Sequence, residues 1–142
     1  MKIYLASPFD TEEKRENALK AKRLLKDKQF DVYLPLEHAI PNAWDYPNAE
    51  WGAMVFAQDI AAIEGADIVV ALSYGRESTA GTNFEIGYAF AKGKKVILVE
   101  MTDNIMSLMV ANGRYATVKG LTGLRLYNFY DLPKLRTETE VK

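Results

Sequence analysis

The chain has 142 residues, with 18 Lys and Arg against 19 Asp and Glu, one His and no Cys. That length suits one domain able to bury roughly 70% of its unfolded surface, and 49% apolar with 26% charged residues excludes wholesale disorder. The missing Cys exclude zinc-thiolate sites, iron–sulfur clusters and cysteine nucleophiles, one His excludes a multi-histidine metal site, and a net charge of −1 speaks against a general nucleic-acid binder.

No apolar run approaches the ~20 residues of a membrane span. Met1–Ala6, followed at once by Ser7-Pro8-Phe9-Asp10, reads as a first strand rather than a signal peptide. The expectation is a cytoplasmic protein with a small-molecule ligand and with no metal, cofactor, membrane or nucleic-acid partner.

Lys2–Ala6 is a short apolar strand ended by Pro8. Asp10-Thr11-Glu12-Glu13 predicts a helix start, with Asp10 as cap. Ala18, Ala21, Leu24 and Leu25 follow at helical spacing, among Lys and Arg expected to face water. Phe30–Leu34 reads as a second strand, stopped by Pro35. The stretch from Leu36 to Asn48, with Pro41, Trp44, Tyr46 and Pro47, reads as a long aromatic loop over a site.

A helix is expected from about Ala49 to Glu64, with Met54, Ala57, Ile60, Ala61 and Ile63 as its apolar face and Gly65 as its stop. Asp67–Leu72 is the clearest buried strand. A small, polar, Gly-containing loop covers Ser73 to Thr82, and Asn83 to Ala91 reads as a helix stopped by Gly93. Lys95–Glu100 is a fourth strand, Met101 to Asn112 a loop with a short helix, and Tyr115–Val118 a fifth strand. Lys134–Lys142 is charged and hydroxylic and is expected to fray.

Continuous apolar strands alternating with helices mark a parallel sheet covered on both faces. The expected fold is a single-domain, five-stranded flavodoxin- or Rossmann-like α/β layer over residues 1–142. Ligands of such sheets sit beyond the carboxyl ends of the strands. Those ends are Ala6–Asp10, Pro35 onward, Ser73–Thr82 and Met101–Ser107, which nominate one site.

Neither G-x-G-x-x-G after the first strand nor G-x-x-x-x-G-K-[ST] is present, so the usual nucleotide cradles are missing. The loop Gly75–Thr82 precedes a helix and fits either a phosphate site or a turn whose hydroxyls cap that helix. Glu85 is read into the first turn of this helix, where the dipole favours its ionised form. That position fits a nucleophile and equally a capping carboxylate. Asp59 falls near the apolar stripe between Phe56, Ile60 and Ile63, which suits a proton donor with a raised pKa, or a solvated helix Asp. Tyr4 fits a hydroxyl aimed at the carboxyl edge, or a core ring. Phe9, Trp44, Tyr46 and Trp51 could stack on a flat ligand or simply pack. His38 reads as a loop residue with no catalytic task, and Lys92, Lys94 and Lys95 as a solvated helix end.

Three segments then resemble one family: Lys2-Ile3-Tyr4-Leu5-Ala6-Ser7-Pro8-Phe9; Gln58-Asp59 ahead of Asp67-Ile68-Val69-Val70; and Gly81-Thr82-Asn83-Phe84-Glu85-Ile86-Gly87-Tyr88-Ala89. With Ser107-Leu108-Met109 and Tyr127-Asn128-Phe129 in the same order, the chain resembles the nucleoside 2-deoxyribosyltransferases. The resemblance implies transfer of a 2-deoxyribosyl group between nucleobases with retention. It makes Glu85 the nucleophile, Asp59 the proton donor and Tyr4 the residue orienting the glutamate. Ser7, Phe9, Thr79, Gly81, Ser107 and Met109 become candidate substrate contacts. The partners implied are 2'-deoxynucleosides, free nucleobases and further copies of the chain, with Ser107 and Met109 completing a neighbour's site.

Nucleoside transferases often carry Asp where this chain has Thr79, and Asn where it has Ser107. A related branch, the deoxynucleoside 5'-monophosphate N-glycosidases, has serines there. Hydrolysis of such monophosphates is therefore the alternative reading. A non-catalytic nucleotide-binding module is a third, requiring Glu85 and Asp59 to lie far apart. The sparse positive charge of Ser73–Thr82, with Arg76 beside Glu77, leads to nucleosides as the expected substrates.

Overall fold

A computed structural model describes residues 1–137 and Val141. Five parallel strands form one sheet: β1 (Lys2–Ala6), β2 (Asp31–Tyr33), β3 (Ile68–Ser73), β4 (Lys95–Glu100) and β5 (Ala116–Lys119), in the order β2-β1-β3-β4-β5. The expected α/β layer is therefore present. Because the strand order reverses beside β1, the carboxyl ends of β1 and β3 open a crevice between them. Tyr4 on β1 is in register with Val69 on β3, which fixes the height of its side chain in that crevice.

Residues alternate between two faces of the sheet. Ile3, Leu5, Val70, Leu72, Ile97 and Val99 point into a core covered by α1 (Glu12–Asp27) and α5 (Gly120–Leu126). Tyr4, Ala6, Val69, Ala71 and Leu98 point the other way, beneath α2 (Asn48–Glu64), α3 (Ala80–Ala91) and α4 (Leu108–Asn112). The first core is finished by an aromatic cluster in which Phe129 meets Phe30 and Tyr127 edge-on. α5 is an element the sequence pattern did not reveal.

Several local expectations are corrected. The cap of α1 is Thr11, whose hydroxyl accepts the Lys14 amide, while Asp10 instead takes the Lys14 ammonium at 3.2 Å. Lys14, placed among water-facing charges, is buried: its Nζ also donates to the Glu77 carbonyl at 2.8 Å and lies over the Tyr74 ring. α3 begins at Ala80, three residues earlier than read, because Thr79 caps it by accepting the Thr82 amide. Glu85 thus stands in the second turn, where the helix dipole has less hold on it.

On α2 only Ile63 is fully buried; Ala57 and Ala61 are exposed, so the proposed apolar stripe is mostly uncovered in the single chain. The segment expected to fray is held in part, with the Leu135 carbonyl accepting the Thr117 amide at 2.8 Å and Val141 bridging Met106. Glu138, Thr139, Glu140 and Lys142 of that segment lie outside the described residues. Among the described residues no helix is long and apolar enough to cross a membrane.

Candidate active site

A cavity of about 420 Å³ lies over the carboxyl ends of β1 and β3. Asp59 from α2 and Glu85 from α3 both line it, with Ser7 and Phe9 from the loop after β1 and Thr79 and Gly81 from the start of α3. Four of the six candidate substrate contacts are thus brought together with two of the candidate catalytic residues. The third, Tyr4, is wholly buried, and its hydroxyl donates a hydrogen bond to Glu85 Oε2.

Ser107 and Met109 are not brought there. They are exposed on α4 and its cap, Met109 at 77%, and Met109 borders a separate apolar groove with Ile86 and Phe90. Of the four candidate stacking rings, Phe9 and Trp51 line the cavity, whereas Trp44 and Tyr46 are not among its lining and Trp44 is 82% exposed.

The loop from β3 to α3 is held by a glycine requirement. Gly75 has φ +62°, and a Cβ there would come within 2.8 Å of the Ile105 carbonyl and 2.7 Å of the Asn104 Cβ. Only glycine allows both the left-handed backbone and this approach. The contact sets the loop against residues 104 and 105 and so delivers Thr79 to the cavity rim. The Thr79 hydroxyl is engaged locally, with the Thr82 hydroxyl at 3.0 Å and the Thr82 amide at 3.3 Å.

The electrostatics follow from burial. The Glu85 carboxyl is pushed up to about 7, first by desolvation and further by the Asp59 charge, while the Tyr4 hydrogen bond pulls it down. The expectation of a dipole-stabilised anion is thus corrected: burial outweighs the helix end. Asp59 is also raised above the ordinary carboxylate range by desolvation, with His38 opposing. The Tyr4 phenol is driven well above its usual range by burial and by the facing Glu85 carboxylate, so it remains a donor. The negative charge of Asp59 thus adds to the effect of burial at Glu85. The Tyr4 hydrogen bond goes to Glu85 and favours its charged form, but burial outweighs it.

His38, read as an uninvolved loop residue, lines the same cavity, and its ring stacks on Tyr33 at 4.0 Å between centroids. Nothing in the sequence around His38 signalled this, because the contact depends on the path of the loop after Pro35. Among the described residues no group of three or more acidic or His side chains is placed to hold a metal ion.

The site also runs on beyond its own cavity. A second apolar groove of about 390 Å³ between α2 and α3 shares Trp51, Val55, Asp59, Gly81 and Glu85 with it and is bordered by Phe56 and Phe84. Both phenyl rings are exposed, at 56% and 55%.

The chain is similar to known proteins in both sequence and structure. Residues 3–124 match the family model described as nucleoside 2-deoxyribosyltransferase. The 2-deoxyribosyltransferase of Bacillus psychrosaccharolyticus has a similar structure, with a TM-score of 0.88 at 32% identity over 96% of this chain and 99% of its own. A Thermofilum pendens protein that bears the name of a 2'-deoxynucleoside 5'-phosphate N-hydrolase is 30% identical over 136 residues, 93% of this chain and 87% of its own. The nucleoside deoxyribosyltransferase of Lactobacillus johnsonii is 30% identical over 91 residues, 58% of this chain and 61% of its own. The chain is an α/β enzyme, and it belongs to the nucleoside 2-deoxyribosyltransferase family.

Proposed function

We propose that the protein exchanges the 2-deoxyribosyl group of free 2'-deoxynucleosides between nucleobases by a double displacement. The observation that carries this is the buried Tyr4 hydroxyl donating to Glu85 on the floor of a cavity that Asp59 also lines. In the first displacement a Glu85 carboxylate oxygen attacks C1' on the face away from the base. The C1'–N bond breaks, its electron pair goes to the base nitrogen, and Asp59 supplies the proton that neutralises the departing base. In the second, a nitrogen of the incoming base attacks C1', the C1'–O bond to Glu85 breaks, and Asp59 recovers a proton from the new base. Two inversions give retention, as in retaining glycosidases, with a base in place of water.

Burial serves this chemistry in two ways. A poorly solvated carboxylate is a better nucleophile, and a dry pocket limits capture of the intermediate by water. Phe9 and Trp51 offer flat surfaces for a base. Ser7 and Gly81 line the same cavity and are assigned to the sugar.

A specific feature supports nucleosides over 5'-monophosphates. Among the described residues the cavity lining includes neither Lys nor Arg, and the Thr79 hydroxyl is already used in capping α3. A dianionic phosphate would lack a charged partner there. The opposite reading, hydrolysis of monophosphates, is favoured by the neutral Thr79 and Ser107 and by the long match to the T. pendens protein.

We also assign the open groove beyond Asp59 and Glu85 to a second copy of the chain, whose Ser107 and Met109 would close it. The exposed Phe56 and Phe84 support this, because apolar side chains beside a reactive carboxylate leave it open to water unless something covers them, and Met109 is exposed on α4 and free to reach a neighbour. The test is incubation with deoxyinosine and free adenine, and separately with a deoxynucleoside 5'-monophosphate. Formation of deoxyadenosine supports the transferase. Free base from the monophosphate alone would move the protein to the hydrolase branch.

A further inference from the structure

Gln58 precedes Asp59 on α2, and the reaction above gives it no part. Its side-chain nitrogen Nε2 donates to the backbone carbonyl of His38 at 2.8 Å and to the Tyr33 hydroxyl at 3.0 Å. A carbonyl only accepts, so the nitrogen must face His38 and the orientation of the amide is fixed. Both of its protons are then in use, with the Tyr33 oxygen as acceptor. One side chain thereby ties three pieces of chain together: the end of β2, the turn after Pro35, and α2 next to Asp59.

The tied groups belong to a stack of rings. Tyr33 lies between Tyr4, at 5.6 Å and 13°, and His38, at 4.0 Å and 8°. At one end of the stack Tyr4 donates to Glu85; at the other, His38 shares the cavity lining with Asp59. Stacking alone leaves a ring free to slide and turn in its own plane. Tyr33 is only half-buried, so packing does not remove that freedom. A hydrogen bond at its hydroxyl does.

We propose that Gln58 is a positioning residue for the transfer reaction, its amide locking Tyr33 and the His38 backbone so that the Tyr4–Tyr33–His38 stack holds Glu85 and Asp59 in fixed relation. The role rests on the function proposed above. The two displacements need the nucleophile and the proton donor on opposite sides of one C1'–N bond. A misplacement near 1 Å in such an arrangement costs about 100-fold in rate.

The test is a cycle of Gln58→Met, Tyr33→Phe and the double variant. Methionine keeps the length and shape of glutamine without its donors, and phenylalanine keeps the stacked ring without its acceptor. Each is assayed for exchange between a deoxynucleoside and a free base, with kcat and KM separated, alongside circular dichroism and thermal melting. Gln58→Met is expected to lower kcat about 10-fold with KM within about 2-fold, because the loss lies in alignment rather than in substrate binding.

Tyr33→Phe is expected to cost about 3-fold, and the double variant to be no slower than Gln58→Met, since residues acting through one contact are not additive. A purely structural Gln58 would lower the melting temperature and leave kcat per folded molecule unchanged. Wild-type kcat in folded Gln58→Met, a change confined to KM, or effects that multiply in the double variant would each overturn the positioning role alone. Should Gln58→Met not fold, Gln58→Glu gives the same reading, because its carboxylate opposes the His38 carbonyl; wild-type kcat there overturns the role equally. A wild-type protein that releases no base from any deoxynucleoside or monophosphate overturns the functional reading and this role with it.

Discussion

The two faces of the sheet are built on different terms. Under α1 and α5 the apolar stripe is spent inside the chain: Ala18, Ala21 and Leu25 of α1 are fully buried against Leu5, Val70 and Leu72. Under α2, α3 and α4 the sheet is equally apolar, yet α2 buries only Ile63 completely, and Trp51, Phe56, Phe84, Phe90 and Met109 remain exposed. All the candidate catalytic groups lie on this second side or point into it. Closure on one face supplies stability, and incomplete closure on the other leaves room for a ligand and, as proposed, a second copy. The same division explains the electrostatics, because Glu85 is desolvated by its own helix layer while its cavity stays open.

This contrast predicts that substitutions on the open face change chemistry far more than stability, and the reverse for the closed face. The largest effect is expected at the nucleophile. Glu85→Ala should lower exchange by roughly four orders of magnitude or more with an unchanged circular dichroism spectrum. Asp59→Asn comes next, with a loss of about 100- to 10,000-fold that is greatest for donors with poor leaving bases. Equal loss for every donor would remove Asp59 from the proton-donor role.

The pH dependence sharpens the picture. A Glu85 carboxyl pushed up to about 7 must lose its proton to attack, so kcat/KM should fall as pH drops through that value. Tyr4→Phe removes the hydrogen bond that lowers this pKa, and the acid limb should move to higher pH. Stability runs in the opposite sense. The folded state holds this proton more tightly than the unfolded chain, so stability is lost as pH rises from about 4.5 to about 7. Glu85→Gln should therefore raise the melting temperature in alkaline buffer and leave it unchanged in acid.

On the closed face, Leu25→Ala should cost about 2–5 kcal/mol in denaturant unfolding with kcat per folded molecule unaltered. The smallest effect on monomer stability is expected for Phe56→Ser, within about 0.5 kcal/mol, even though it should weaken self-association in light scattering. A fully active monomer at assay concentration would contradict the second copy.

Much of this was legible in the sequence, for identifiable reasons. Strands such as Ile68–Ser73 are continuous apolar runs bounded by a glycine-ended helix and a polar loop, so the parallel sheet could be read directly. Tyr4, Asp59 and Glu85 each carried a signal of residue type and place. What escaped depended on contacts distant along the chain. α5 is short, and its Gly120 and Gly123 hide its period. The true start of α3 turns on which hydroxyl of the Gly75–Thr82 loop caps it, and that is Thr79. The burial of Lys14 depends on the Glu77 carbonyl, and the place of His38 depends on a ring stack and the Gln58 amide. The raised pKa of Glu85 is not legible in the sequence, because a helix start predicts a dipole, whereas burial is set by tertiary packing.

The central claim is that Glu85 carries the sugar between bases. Wild-type protein mixed with a 2'-deoxynucleoside donor and no acceptor base, quenched in acid and digested, is analysed by peptide mass spectrometry. The account predicts a deoxyribosyl adduct on the peptide containing Glu85, discharged as nucleoside when a free base is added before the quench. An adduct on another residue, or steady exchange by the Glu85→Ala variant, would contradict it.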